Sequence, residues 1–265
     1  MTRFADLVAD YDGFILDQYG VLHDGTRPYP GVAGALELLK TAGKPVTLLT
    51  NSGRTAGENA DRLGRLGIDP AAFRAIVTSG DLAARTMAML KPEAVFVLAR
   101  GGDALRTSLP VVADPAQAGF LLIAGSKADT IPEETYRKML LPLAEGGIPA
   151  LCSNPDLEML TPLGLRPGAG QIAQWYMEMG GEVQFCGKPW PEIYHAAVAA
   201  LDLGDGARIC CIGDSLHHDI LGANRAGLDS ALMRTGVSAE LSDKDLARLT
   251  ADRQLCPTHL LAGFG

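Results

Sequence analysis

Short apolar runs alternate along the chain with longer stretches of helical spacing. That rhythm predicts an α/β fold with parallel strands. Phe14-Ile15-Leu16 predicts a first strand leading into Asp17, and residues 31–39 carry helical spacing that stops near Gly43. Residues 46–49 predict the next strand, running into Thr50-Asn51-Ser52, and 56–66 a helix ending at Gly67. Ala75-Ile76-Val77-Thr78, residues 94–98, residues 119–124 and Ala150-Leu151-Cys152 read as further strands, with a helix over 132–144. Pro189-Trp190-Pro191 opens a helix to about Leu201, since proline is tolerated in a first turn. A strand over 208–212 reaches Gly213-Asp214, and a helix from about His218 ends at Gly227.

Polar residues converge where these strands end. In an open parallel sheet, functional groups collect beyond the carboxyl ends of the strands. Here the first strand delivers Asp17, the second Thr50-Asn51-Ser52, and a late one Asp214 with Asp219 close behind, while Gly187-Lys188-Pro189 presents a lysine just before a helix. Taken singly, each is an ordinary cap, turn or surface residue. Together they suit phosphoryl transfer. A carboxylate can attack phosphorus and split one hard step into two. Asp17, Asp214 and Asp219 are hard oxygen ligands of the kind magnesium takes. Hydroxyls and backbone N–H groups at 50–52 would cradle a phosphate at a helix N-terminus, and Lys188 adds a fixed positive charge.

Composition narrows the field. The chain has 265 residues, enough for a large domain or two modest ones. A net charge of -8 gives no support to nucleic-acid binding. No apolar stretch is long enough to propose a membrane span, and no secretory signal is evident at Met1-Thr2-Arg3. The cysteines, Cys152, Cys186, Cys210, Cys211 and Cys256, are odd in number and lack metal-site spacing, so reduced thiols and a cytoplasmic location are expected.

The motifs in their order resemble the haloacid dehalogenase superfamily: Asp17-Gln18-Tyr19-Gly20-Val21-Leu22, Thr50-Asn51-Ser52, Gly187-Lys188-Pro189, and Gly213-Asp214-Ser215 through Asp219. The likeness is greatest to the class IIA branch, with its p-nitrophenyl-phosphatase-like and sugar-phosphatase-like members. Asn154-Pro155-Asp156 and the Trp190-Pro191 that follows the lysine motif also look like this branch. The resemblance implies a doubly wound, Rossmann-like core of residues 1–80 plus 185–265, with an α/β cap over 81–184. It implies Asp17 as nucleophile and metal ligand, Thr50, Asn51 and Ser52 with Lys188 around the phosphate, Asp214 on Mg2+, and Asp219 on Mg2+ or ordering its waters. It further implies the backbone carbonyl of Tyr19 as a magnesium ligand, Asn154 and Asp156 as selectors of a small phosphorylated substrate, and a possible homodimer.

One position departs from the pattern. Phosphatases of the family usually carry a second aspartate two residues after the nucleophile, for proton transfer, and this chain has Tyr19. A phenol near pKa 10 can donate a proton but is a poor base at neutral pH. Slow turnover is one expectation. A dehalogenase-like attack on carbon is another, because similar enzymes carry Asp-x-Tyr-Gly and halide leaves without a proton. A phosphometabolite-binding protein without turnover is the third. His23, His217 and His218 are alternative proton carriers, each more readily read as structural. Arg54 is as readily a solvated helix start as a phosphate contact. Gly168-Ala169-Gly170 mimics a dinucleotide fingerprint but follows a proline-broken lead-in at 161–167, so a turn and helix start is expected there.

Overall fold

The computed structural model describes residues 1–100, 110–161 and 164–265. In chain order its helices and strands are α1 (Phe4–Asp10), β1 (Gly13–Leu16), α2 (Val32–Thr41), β2 (Val46–Thr50), α3 (Ala56–Arg65), β3 (Ala75–Thr78), α4 (Ser79–Leu90), β4 (Val95–Leu98), β5 (Val111–Val112), β6 (Phe120–Ile123), α5 (Glu133–Glu145), β7 (Ala150–Cys152), β8 (Glu158–Thr161), β9 (Gly164–Pro167), α6 (Ala169–Glu178), β10 (Val183–Phe185), α7 (Pro191–Leu201), β11 (Ile209–Gly213), α8 (Leu221–Arg225), β12 (Asp229–Met233), α9 (Asp243–Leu249) and β13 (His259–Leu261). The chain divides into two compact units. The first comprises Met1–Thr50, Ala56–Val77 and Lys188–Gly265, the second Asn51–Thr55 and Thr78–Gly187.

The first unit is built on a six-stranded sheet in the order β13-β12-β11-β1-β2-β3. β1 lies between β2 and β11 and is parallel to both. From β1 the chain winds outward to β2 and β3, then returns to β11 and winds outward the other way. This reversal opens a crevice at the carboxyl ends of β1 and β11, the place where open α/β sheets hold ligands. Strand residues alternate in direction, so each strand feeds two cores. Phe14, Leu16, Leu48, Cys210 and Ile212 point into one cluster with α1 and α2. On the other face Leu232 joins Leu216, Ile220 and Leu246. In α2 the buried residues Val32, Ala35 and Leu39 recur at helical spacing, and Gly43 at φ +65° follows the helix end as the pattern predicts.

The second unit carries a five-stranded sheet, β10-β7-β6-β4-β5, with its recorded strand pairings all parallel. The same alternation operates here: Leu121 and Ile123 pack with Tyr136, Leu140 and Trp175 of α5 and α6, while Phe120, Leu122 and Ala124 pack with Ala83 and Met87 of α4. Truncating a buried leucine at such a site typically removes about 2–5 kcal/mol.

Two local expectations are corrected. The stretch before Gly168 is not simply broken by proline: β8 and β9 form an antiparallel ribbon, in which Glu158 pairs with Pro167 (Pro162 and Leu163 lie outside the described residues). Pro167 ends its strand, where a missing N–H is tolerated. Helix α6 then starts at Ala169 without a βαβ unit, so the glycines serve close packing. A Cβ at Gly170 would lie 2.1 Å from the Pro155 carbonyl oxygen. The helix expected from His218 is a π-turn over Leu216–Ile220 followed by the short α8.

Candidate active site

Asp17 leaves the sheet where β1 ends, its amide donating to Ile212 O at 2.9 Å as if the strand continued. Asp214 follows the end of the neighbouring β11. Asp219 is brought back by the π-turn: its amide donates to Ser215 O at 2.9 Å, and Ser215 N–H donates to Asp219 Oδ2 at 3.0 Å. Such turns are frequent at functional positions. Gly213 makes room, since a Cβ there would lie 2.0 Å from Asp219 Cγ. One oxygen each from Asp17, Asp214 and Asp219 fall within 4.8 Å of one another.

Lys188 Nζ donates to Asp17 Oδ1 at 2.6 Å and to Asp219 Oδ1 at 2.7 Å. Its side chain is only 4% exposed. Burial works against the ammonium, but Asp17 and Asp219 outweigh it and keep it charged. Three carboxylates against one ammonium leave two negative charges in excess. Burial, only partly offset by Lys188 and reinforced by Asp219 and Asp214, raises the Asp17 carboxyl well above the usual range. Burial and then Asp219 push Asp214 up to about 7. A small hard cation would relieve both. The donor set, all carboxylate oxygen, fits Mg2+ far better than a thiophilic metal.

Several residues that shape this cluster escaped the reading of the sequence. Val237 N–H donates to Asp214 Oδ2 at 2.7 Å. Gly20 and Gly236, both at positive φ, border the same carboxylate so closely that a Cβ would lie 2.1 Å and 1.8 Å from Oδ2. Tyr194 Oη, buried beneath the π-turn, donates to the carbonyls of His218 and Asp219. The sequence offers no clear signal for Gly236, because β12 opens on the polar residues Asp229 and Ser230 and does not stand out as a strand.

Among the other residues singled out, Thr50 ends β2 beside β1 and is 7% exposed. Asn51 and Ser52 belong to the second unit. There Asn51 Nδ2 donates to Asp156 Oδ1 at 2.9 Å, and Asp156 N–H donates to Asn154 Oδ1 at 3.1 Å. Ser52 O accepts from Gly80 N–H and Ser79 Oγ. Tyr19 is 48% exposed, its ring edge-on to His23. His218 Nδ1 is 3.4 Å from Ser215 Oγ. Among the described residues no helix is long and apolar enough to cross a membrane.

Known proteins bear on this geometry. Residues 14–109 match the model for haloacid dehalogenase-like hydrolases, and residues 185–261 match a second, HAD-hydrolase-like model. The chain is 29% identical over 248 residues to an acid sugar phosphatase of Staphylococcus haemolyticus, covering 89% of this chain and 90% of that one. A haloacid dehalogenase-like hydrolase from Brucella suis superposes with TM-score 0.85 at 28% identity, covering all of both chains. The glycerol phosphate phosphatase of Mycobacterium tuberculosis, solved with magnesium, superposes with TM-score 0.75 at 26% identity, covering 100% of this chain and 78% of that one. With its motifs in order on a doubly wound parallel sheet, this chain belongs to the haloacid dehalogenase-like hydrolases.

Proposed function

We propose that the chain is a magnesium-dependent phosphomonoester hydrolase that uses Asp17 as its nucleophile on a small phosphorylated metabolite. The observation that carries this reading is Lys188 bridging Asp17 and Asp219 in a cluster of three carboxylates at the sheet's reversal point. The phosphatase names of the relatives and the magnesium in one of them support it.

An Asp17 oxygen attacks phosphorus, the ester P–O bond breaks, and an aspartyl phosphate forms as the alcohol leaves with a proton. Water then attacks that phosphorus, releasing inorganic phosphate and restoring the carboxylate. Lys188 holds Asp17 in place and neutralises charge as the phosphoryl group arrives. Thr50, with Asn51 and Ser52, is assigned to the phosphate oxygens. Asp17, Asp214, Asp219 and the Tyr19 carbonyl would hold Mg2+, which would supply the positive charge that offsets repulsion between an anionic nucleophile and an anionic substrate. The Tyr19 phenol can give the leaving group a proton but is a poor base for water, so the second step is the slow one. The second unit, through Asn154 and Asp156, is assigned to substrate choice.

A panel of phosphorylated metabolites and haloacids, assayed for phosphate and halide release with and without Mg2+, tests the reading. Mg2+-dependent phosphate release that vanishes in Asp17→Asn supports it. Metal-independent halide release, or binding without turnover, would replace it with dehalogenase or sensor chemistry.

A further inference from the structure

Gln18 and His23 are buried polar side chains in the turn after Asp17, 3% and 1% exposed, and no step above uses them. Gly25 N–H donates to His23 Nδ1 at 2.9 Å. That nitrogen accepts and so carries no proton, which in a neutral ring puts the proton on Nε2. His23 Nε2 lies 3.2 Å from the Gln18 side-chain amide nitrogen, while Gln18 Oε1 is buried without a hydrogen-bond partner. Two donors do not face each other, and the two ends of an amide are nearly identical in shape. Turning the Gln18 amide by half a revolution replaces the donor–donor contact with Nε2–H donating to Oε1. Both ring nitrogens are then engaged, which leaves His23 unsuited to carrying protons.

The main chain makes the same turn. Leu22 N–H donates to Gln18 O, and Gly20 N–H donates to His23 O, both at 2.9 Å. Gly20 at its centre lies against the Asp214 carboxylate, and Thr235 Oγ1 donates to Gly20 O. A shift of a few tenths of an ångström in this turn therefore moves Gly20 relative to Asp214.

We propose that neutral His23 is a positioning residue: its Nε2–H holds Gln18, and through the 17–23 turn it keeps Gly20 against Asp214 and the carboxylate cluster in register for Mg2+. The proposal rests on the reading of Asp17 and Asp214 as metal ligands. Two amide substitutions separate the two ends of the ring. His23→Asn places an oxygen where Nδ1 sits and loses Gln18, whereas His23→Gln places an N–H where Nε2 sits and keeps it. Gln18→Met removes the partner at nearly constant volume.

Three readouts decide it: nitrogen-15 spectra of the His23 ring at neutral pH, Mg2+ affinity by calorimetry, and phosphate release. The expected results are a proton on Nε2 alone, affinity about tenfold weaker in His23→Asn and Gln18→Met, and near-wild-type affinity in His23→Gln. Should His23→Asn fail to fold, Gln18→Met carries the comparison. A proton on Nδ1, or variants that melt earlier yet bind Mg2+ as the wild type does, would overturn the proposal. Wild-type protein with the expected ring and Mg2+ pattern but no phosphate release would support it while removing the phosphatase reading.

Discussion

Lys188 Nζ lies 2.6 Å from Asp17 Oδ1, an ion pair formed between residues 171 positions apart and almost wholly withdrawn from solvent. Breaking a buried pair by removing one partner typically costs about 3–5 kcal/mol, because the other charge stays buried. Lys188→Met is expected to lose stability on that scale in chelator, measured by urea unfolding. Added Mg2+ recovers part of the loss, since the cation takes over the role of the ammonium. A variant as stable as wild type without metal contradicts the electrostatic reading of the cluster.

Gly20→Ala tests how closely Asp214 is held. The substitution puts a Cβ 2.1 Å from the carboxylate oxygen at a φ of +90°. The backbone strain alone amounts to about 1–3 kcal/mol, and Asp214 must move. Mg2+ affinity measured by calorimetry is expected to fall by about tenfold or more. Unchanged affinity means that Asp214 does not hold the metal from its present position.

Replacing Tyr19 with Asp supplies a carboxyl group able to act both as acid and as base. Phosphate release is expected to rise by about 10²-fold, at the low end of what positioned proton transfer contributes. Steady-state kinetics with an unactivated alkyl phosphate show this best, because its leaving group needs the proton. A fall in rate would mean that the phenol serves the reaction better than a carboxyl group, and that the lack of a base does not slow the second step.

The pH dependence of stability has a signature at His23. Burial first and Arg62 second, against a smaller opposite effect of Asp24, lower its pKa from the ordinary value near 6.5 to about 4. The unfolded chain therefore binds the proton more readily than the folded one. This contribution is complete above about pH 6.5 and is lost as pH falls toward 4, at most about 3 kcal/mol over the window. Urea midpoints measured in chelator across that range are expected to decline less steeply in His23→Asn than in wild type.

Much of this was legible in the sequence because it depends on local pattern. The unbroken apolar run at 120–124 and the helical spacing of Val32, Ala35 and Leu39 report burial directly, and Asp17, Thr50 and Asp214 each sit at the end of an apolar strand. The features that escaped depend on distant backbone. Strand β12 begins with Asp229 and Ser230, polar residues that find partners in Tyr11 and Thr258. Nothing in that segment alone announces Gly236 and Val237 as neighbours of Asp214. The β8–β9 ribbon was hidden because proline and glycine read as breaks, while the Gln18–His23 pair becomes visible only once the turn between them is folded.

The most direct measurement is acid-quenched mass spectrometry of the enzyme during turnover of p-nitrophenyl phosphate with Mg2+. The expected result is a phosphoryl group on the peptide bearing Asp17, accumulating because Tyr19 is a poor base for the second step, and absent in Asp17→Asn together with at least about 10³-fold loss of phosphate release. Phosphate release that persists in Asp17→Asn, with no phosphorylated peptide in the wild type, would contradict an aspartate nucleophile at this position.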